Sequence, residues 1–167
     1  GMFMFLAEFA PPADAICPRG VLRRVLERAR AHGFDVLAAL EYEFFVFDET
    51  PESVRAKGYR DLKPITPGYF GYSTLRSGVY GEFYHALLEA CETMNMGIES
   101  LHTETGPGVI EAAIGVDDAL AAADKAALFK TWAKVLAQRR GWMATFMAKW
   151  SKDWPGQSGH IHLSLRD

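Results

Sequence analysis

Cysteine is scarce in this chain, with only Cys17 and Cys91 among 167 residues and no Cys-x-x-Cys spacing. Neither a disulfide framework nor a thiolate metal site is indicated, and two reduced, packed thiols are expected. Runs of Lys and Arg are also missing, and the net charge is -3, so nothing points to nucleic acid or a lipid surface as a partner. Long apolar runs are absent too. Met2 to Ala10 is apolar but far too short to span a bilayer, and it lacks a basic region before it. No targeting signal is visible, so a cytoplasmic protein with no membrane partner is expected. There is no Gly-x-x-x-x-Gly-Lys-Ser/Thr loop and no Rossmann glycine fingerprint, so a nucleotide would have to be held through metals and sheet side chains. No Ser/His/Asp or Cys/His arrangement stands out, and Ser158-Gly159 lacks the strand-turn-helix context of a nucleophile elbow. Internal repeats and low-complexity segments are likewise missing.

What is present has the balance of a globular domain with a sizeable core: 49% hydrophobic and 23% charged residues. Gly1 before Met2 reads as a cloning remnant. The central stretch is Leu40-Glu41-Tyr42-Glu43-Phe44-Phe45-Val46-Phe47-Asp48, strand-like through its aromatic and β-branched residues. Alternation puts Glu41, Glu43, Phe45 and Phe47 on one face. Two adjacent carboxylates on an apolar strand need a cation to compensate them, or that end of the strand must be wet.

Around this strand the periodicity predicts a helix from about Arg19 to His32, opened by Pro18, closed by Gly33 and buried through Val21, Leu22, Val25, Leu26 and Ala29. Asp48 to Ser77 reads as a long loop weighted with Tyr59, Tyr69, Phe70 and Tyr72, either pinned by its aromatics or serving as a flap over a site. A second helix is expected from about Tyr80 to Met96, with Phe83, Leu87, Leu88, Cys91 and Met94 inward, His85 on the surface and Gly97 as its stop. Strands follow at Ile98 to Glu104 and Val109 to Ile114. A third helix runs from about Ala119 to Arg140, capped by Asp117 or Asp118 and ended by Gly141. Met143 to Trp150 and Gly159 to Leu165 read as strands.

Three segments carry polar groups where a core would want none. Glu41 and Glu43 are the first. Glu104 and Glu111 flank the Gly106-Pro107-Gly108 turn, where a hairpin could bring them together. His160, His162 and Ser164 alternate with Ile161, Leu163 and Leu165, which are expected to pack inward. Taken singly, each fits a solvated strand face. Together they form a donor set rich in oxygen with imidazole in the minority, suited to Mg2+ or Mn2+ rather than zinc. Carboxylates around paired hard cations are what phosphoryl transfer requires.

These residues resemble the catalytic domain of the glutamine synthetase family. Glu41 to Asp48 is similar to its Glu-x-Glu-Phe-Phe strand, and His102 to Glu111 to its His-x-Glu…Pro-Gly-Gln-x-Glu hairpin. Gly156 to Ser164 resembles its His-x-His-x-Ser segment, Thr145-Phe146-Met147-Ala148-Lys149 its Thr-Phe-Met-x-Lys strand, and Pro67-Gly68-Tyr69-Phe70 a Gly-Tyr-Phe loop. The five motifs keep the family's order over nearly the whole chain, and their variants look like the branch that includes γ-glutamyl ligases. The resemblance implies an α+β fold, a mostly antiparallel sheet with helices on one face. It implies ATP-dependent activation of glutamate's γ-carboxylate as an acyl phosphate, attacked by ammonia or a small amine. Two or more Mg2+ or Mn2+ ions would be held, one by Glu43, Glu104 and Glu111 and a second by Glu41 and His160. Glu99, His162 and Ser164 would lie near ATP, Gly156 near the amino acid and Tyr69 near the amine, with Glu104 and Tyr69 as catalytic groups.

Val109 stands where the family usually has Gln, and Pro155 where it often has Asn. Residues 2–167 then correspond to the first half of a catalytic domain, without the family's N-terminal β-grasp domain or the domain's C-terminal half. The fragment is expected to be inactive alone, and the longer protein to form a ring-shaped homo-oligomer. Two other readings remain: a non-catalytic metal-binding or oligomer-forming remnant, and a guanidino-kinase-like phosphotransferase, against which the Glu-x-Glu and His-x-His strands argue.

Overall fold

The computed structural model describes residues 3–167; Gly1 and Met2, and with them the expected cloning remnant, lie outside the described residues. A short 3-10 turn, Ala13–Ile16, leads into α1 (Pro18–Ala31), then β1 (Asp35–Phe47), α2 (Pro51–Ala56), α3 (Thr74–Val79) and α4 (Gly81–Thr93). The hairpin β2 (Ile98–Thr103) and β3 (Val109–Ile114) follows, then β4 (Asp117–Asp118), α5 (Ala119–Gln138), β5 (Met143–Thr145) and β6 (Gly159–Arg166). Every strand pairing among the described residues is antiparallel, as the α+β expectation requires. The sheet runs β2-β3-β1-β4, with β5 and β6 also on β1. The 13-residue β1 is the strand that touches nearly all the others.

Alternation along β1 sorts the molecule into two faces. Phe44 and Val46 turn to the helices and pack with Phe83, Leu87, Ile110, Ile114 and Phe129, all 2% exposed or less. Each such side chain contributes about 1.5–3 kcal/mol by leaving water. Phe45 and Phe47 turn the other way, where Val109, Leu62 and Trp150 cover them. Glu41 and Glu43 share that second face but lie beyond the cover, only partly buried. Both cysteines are buried free thiols, and burial pushes Cys91 up to about 11, so it is unreactive at neutral pH.

Several expected boundaries and faces move. The long loop contains α2 and α3, each only six residues and so too short to show a helical period. Local capping makes them: Thr50 accepts from the Ser53 N–H while the Ser53 side chain accepts from the Thr50 N–H. On α1, Val21 and Val25 are exposed, while Leu26 is buried and Leu22 partly so, against Ala38 and Ala122. The polar side of the helix carries ion pairs, Arg19 to Glu8 and Asp124 and Arg23 to Glu8. Leu88 is also exposed. The second long helix ends at Thr93 because Asn95 takes the left-handed conformation (φ 53°) expected of Gly97. Asp118 sits at the α5 N-cap position without a side-chain cap bond, and Asp117 instead pairs with Lys125.

The strand expected over Met143 to Trp150 stops at Thr145. There the chain turns so that Trp150 reaches the Phe45–Phe47 pair. On β6 the correction is larger. Ile161, Leu163 and Leu165 are about two-thirds exposed rather than packed inward (66%, 66% and 64%). β6 pairs with the first half of β1 on the side away from β3, and the helices pack over β1, β3 and β5 without reaching it.

Candidate metal and nucleotide site

Strand register builds the site. Glu43 on β1 pairs with Glu111 on β3, and Glu111 pairs with His102 on β2. One row thus runs His102, Glu111, Glu43 across three strands, with Glu104, just past the end of β2 and two residues beyond His102, on the same face. In the next row Glu41 lies between Ala113 and His160, and one step further Ala39 pairs with His162. All four glutamates singled out in the sequence therefore converge, as do the two histidines.

Local structure holds them there. The hairpin turn depends on Gly108, whose φ is 71° and where a Cβ would stand 2.4 Å from the Val46 carbonyl oxygen. The Gly108 N–H donates to Thr66 Oγ1 at 2.8 Å, tying the preceding loop to the turn. Buried Thr103 ties the same loop again: its Oγ1 accepts from Ser73 N at 2.9 Å and donates to the Phe70 carbonyl at 3.1 Å. These bonds set Tyr72 against the site, its ring centroid 4.8 Å from that of His102.

The electrostatics are those of a site with too much negative charge. Burial, and then the Glu41 and Glu104 carboxylates, push Glu111 up to about 8. Glu41 is lowered, first by its hydrogen bond with Glu111, then by His162 and His160 working against desolvation. One proton is therefore shared between Glu41 and Glu111 at neutral pH. Burial works against the Glu104 charge, yet Tyr72 and the Thr105 N–H hold its carboxyl below the ordinary value. Glu104 in turn pushes the Tyr72 phenol up to about 12.

A divalent cation fits these residues. Glu104 Oε2 is buried with no hydrogen-bond partner. One ligand atom each from His102, Glu104 and Glu111 lies within 4.8 Å of the others. Glu43 directs its carboxylate to Ser158, accepting from the backbone N–H at 2.8 Å. Glu41 meets His160 Nδ1 at 3.6 Å and His162 Nε2 at 3.1 Å.

Beside the acids lies a recess of about 480 Å³, lined among others by Glu41, Glu99, Val116, His162 and Ser164. The three residues expected near a nucleotide thus line one cavity. A groove of similar size, about 460 Å³, lies between α4 and α5, but Glu89, Arg139 and Arg140 are its only charged lining, away from the acid face. Tyr69 is exposed and packs on Trp154, with centroids 5.4 Å apart. Pro155 lies against the hairpin at Gly106, and a Cβ at Gly156 would come within 2.8 Å of the Ala148 carbonyl oxygen. Sequence reasoning left His102, Tyr72 and Trp154 without roles. For His102 a signal existed, since strand alternation places it on the face of Glu104.

Residues 15–167 match the family model for the glutamine synthetase catalytic domain. Type-1 glutamine synthetase 2 of Dictyostelium discoideum is 45% identical over 150 residues, 90% of this chain and 29% of that protein. A glutamate–isopropylamine ligase from a Pseudomonas species is 36% identical, over 91% of this chain and 33% of its own length. γ-Glutamylethanolamide synthetase GlnA4 of Streptomyces coelicolor is 38% identical, over 90% and 32%. A solved structure of GmaS without ligand superposes with a TM-score of 0.77 at 26% identity, covering 89% of this chain and 34% of that one. The chain thus spans about a third of the length of the relatives it matches. It belongs to the glutamine synthetase family, which it matches through the catalytic domain.

Proposed function

We propose that this chain carries the metal-binding and nucleotide-facing part of an ATP-dependent ligase that joins the γ-carboxylate of glutamate to ammonia or a small amine. The observation that carries the reading is the convergence of Glu41, Glu43, Glu104 and Glu111 with His160 on one sheet face, beside the recess lined by Glu99, His162 and Ser164. A carboxylate is a poor acyl donor until phosphorylation turns one of its oxygens into a leaving group. Glu43, Glu104 and Glu111 would hold one divalent cation, and Glu41 and His160 a second. Bound Mg2+ or Mn2+ supplies charge neutralisation for the transferring phosphoryl group.

His162 and Ser164 would donate to the nucleotide phosphates from the recess, beside Glu99. At the other end Gly156 keeps the backbone open to the amino acid, and Tyr69 stands on the amine side. Glu104, held ionised by Tyr72 and Thr105, is placed to take the proton that an attacking amine must lose. Relatives named for isopropylamine and ethanolamide support an amine with a short substituent, and the Tyr69–Trp154 pair offers it an aromatic wall.

The test is glutamate-dependent ADP release and hydroxamate formation with Mg2+ or Mn2+, using ammonia, isopropylamine and ethanolamine in turn. It is run on this chain and on a relative-length protein containing it. Turnover in the longer protein, lost in Glu104→Gln, supports the reading; the chain alone is expected to be silent. A second reading, a non-catalytic surface for metal binding or association, draws on the exposed aliphatic row of β6. It stands if neither protein turns over while Mn2+ still binds. With the ligase reading goes a ring-shaped homo-oligomer, whose contacts would cover that row.

A further inference from the structure

Beyond the last residues of β1, on the helix side of the sheet, a cavity of about 250 Å³ opens between α2, the end of α5 and β5. Ala144 on β5 pairs with Val46 and belongs with it to the core beneath the helices, whereas the acids lie on the opposite face. The floor is apolar, with Val54 2% and Ala144 7% exposed, and Trp142 lines one side. Trp142 is itself fixed edge-on by Tyr80 and Phe83, with centroids 5.5 and 5.7 Å away. Arg55, Lys134 and Gln138, all exposed, stand at the mouth, and no carboxylate lines the cavity.

The wall on the α2 side is built in advance. Buried Glu49 accepts from the Ser53 hydroxyl, the Lys57 ammonium and the Lys63 N–H, which pins α2 beside the end of β1. The helix then closes with two reverse bonds, Gly58 N–H to the Arg55 carbonyl at 3.0 Å and Tyr59 N–H to the Val54 carbonyl at 2.9 Å. This leaves Tyr59 at φ 60°, a conformation that an aromatic residue rarely takes, with two-thirds of the residue in solvent. An occupant of the cavity covers Tyr59 and Trp142 together. The cations are equally unanswered, for among the described residues neither Arg55 nor Lys134 forms an ion pair. Arg55 donates to the Pro51 carbonyl at 3.3 Å, and the Lys134 ammonium lies 5.7 Å from the Phe146 ring centroid. Glu52, one turn before Arg55 on α2, is exposed and outside the lining.

We propose that this cavity is a binding site for a small aromatic carboxylate, whose ring lies against Trp142, Val54 and Tyr59 and whose anionic group meets Arg55 and Lys134. The volume exceeds the roughly 150 Å³ that holds a benzene and falls short of the roughly 300 Å³ at which drug-sized sites begin, so one or two rings fit. The apolar floor takes the ring out of water, and two cations without carboxylate partners select the sign of the charge. The proposal is independent of the ligase reading, whose residues lie on the other face of the sheet.

The experiment is titration of the 15N-labelled 167-residue chain with indole-3-acetate and with its neutral counterpart indole-3-acetamide, at low salt. The four tryptophan side-chain N–H signals report the place of binding, Trp142 in the cavity and Trp154 beside Tyr69. Assignment uses Trp142→Phe and Trp154→Phe. Indole-3-acetate is expected to shift Trp142 saturably and leave Trp154 unmoved, and the amide to bind about fivefold more weakly. Added salt should close that gap. Arg55→Gln combined with Lys134→Gln should bring the acid down to the affinity of the amide. Tyr59→Gly, which removes the ring and frees the backbone, should weaken both probes while the melting temperature holds or rises. The proposal is overturned by a Trp142 signal that does not move saturably below about 5 mM. Equal affinity for acid and amide, or a Trp154 shift with Trp142 unmoved, overturns it as well. Glutamate-dependent turnover is not read in any of these arms, so their failure leaves the ligase reading standing.

Discussion

Glu43 and Ser158, 115 residues apart, are bonded twice: the Glu43 N–H donates to the Ser158 carbonyl at 3.0 Å, and the Glu43 carboxylate accepts from the Ser158 N–H at 2.8 Å. The entry of β6 therefore sets the direction of an acid on β1. Chain segments that are remote in sequence share one site, and a perturbation of the turn before β6 reaches the metal face without touching a ligand.

The protonation of Glu111 gives the first prediction. Its pKa of about 8 lies above the ordinary carboxyl value, so between roughly pH 4.5 and 8 the folded chain binds more protons than the unfolded one. Stability without metal therefore falls as pH rises through that window. Glu111→Gln, which cannot ionise, should flatten the slope and raise the metal-free melting temperature at pH 8. Thermal unfolding at pH 5, 6.5 and 8 with a chelator measures this; an unchanged slope in the variant contradicts it.

Cation binding follows with the opposite sign. Mn2+ needs the Glu111 proton gone, so apparent affinity should rise from pH 6 to pH 8.5, with proton release on binding. Calorimetry in two buffers of different ionisation enthalpy reads the proton directly.

At the far end of β1, buried Glu49 pairs with Lys57, accepts from Ser53 and from the Lys63 N–H, and is lowered to about 2. A depressed carboxyl stabilises above its unfolded pKa and ceases to do so as pH falls from about 4.5 toward 2. Glu49→Gln should cost about 1–3 kcal/mol at pH 7, by loosening several bonds to one buried group. The cost should shrink by pH 2.5, as urea unfolding at both pH values would reveal.

Gly108 offers a backbone test. Gly108→Ala combines a left-handed φ of 71° with a Cβ 2.4 Å from the Val46 oxygen. Gly33→Ala, at φ 86° with nothing within 4 Å of a Cβ, carries the conformational term alone, about 1 kcal/mol. The Gly108 variant should lose clearly more, and its Mn2+ binding should weaken because the turn sets the Glu104–Glu111 spacing. Equal losses for the two glycines would mean that the close approach to Val46 relaxes freely.

The exposed row Ile161, Leu163 and Leu165 lies on a strand with one unpaired edge. Association that depends on concentration is expected, and Leu163→Lys should reduce it without loss of fold. Sedimentation at two concentrations decides.

Much of this was legible along the chain. Glu41, Glu43 and Phe45 share a face because a strand alternates, and the Gly-Pro-Gly turn between Glu104 and Glu111 announced a hairpin. Glycines at 33 and 141 ended their helices as read, since only short-range sterics are involved. Residues that depend on a partner from elsewhere were not legible. Val21 and Val25 look as apolar as Leu22, and only packing against Ala38, Ala119 and Ala122, far along the chain, tells which of them meets the sheet. Ile161, Leu163 and Leu165 alternate as a buried row would, yet among the described residues no helix packs against β6. His102 carried no role until register set it across from Glu111. Periodicity is a property of one segment and can be read from its residues; burial, register and the pairing of charges belong to two segments at once, and only folding brings the second one into place.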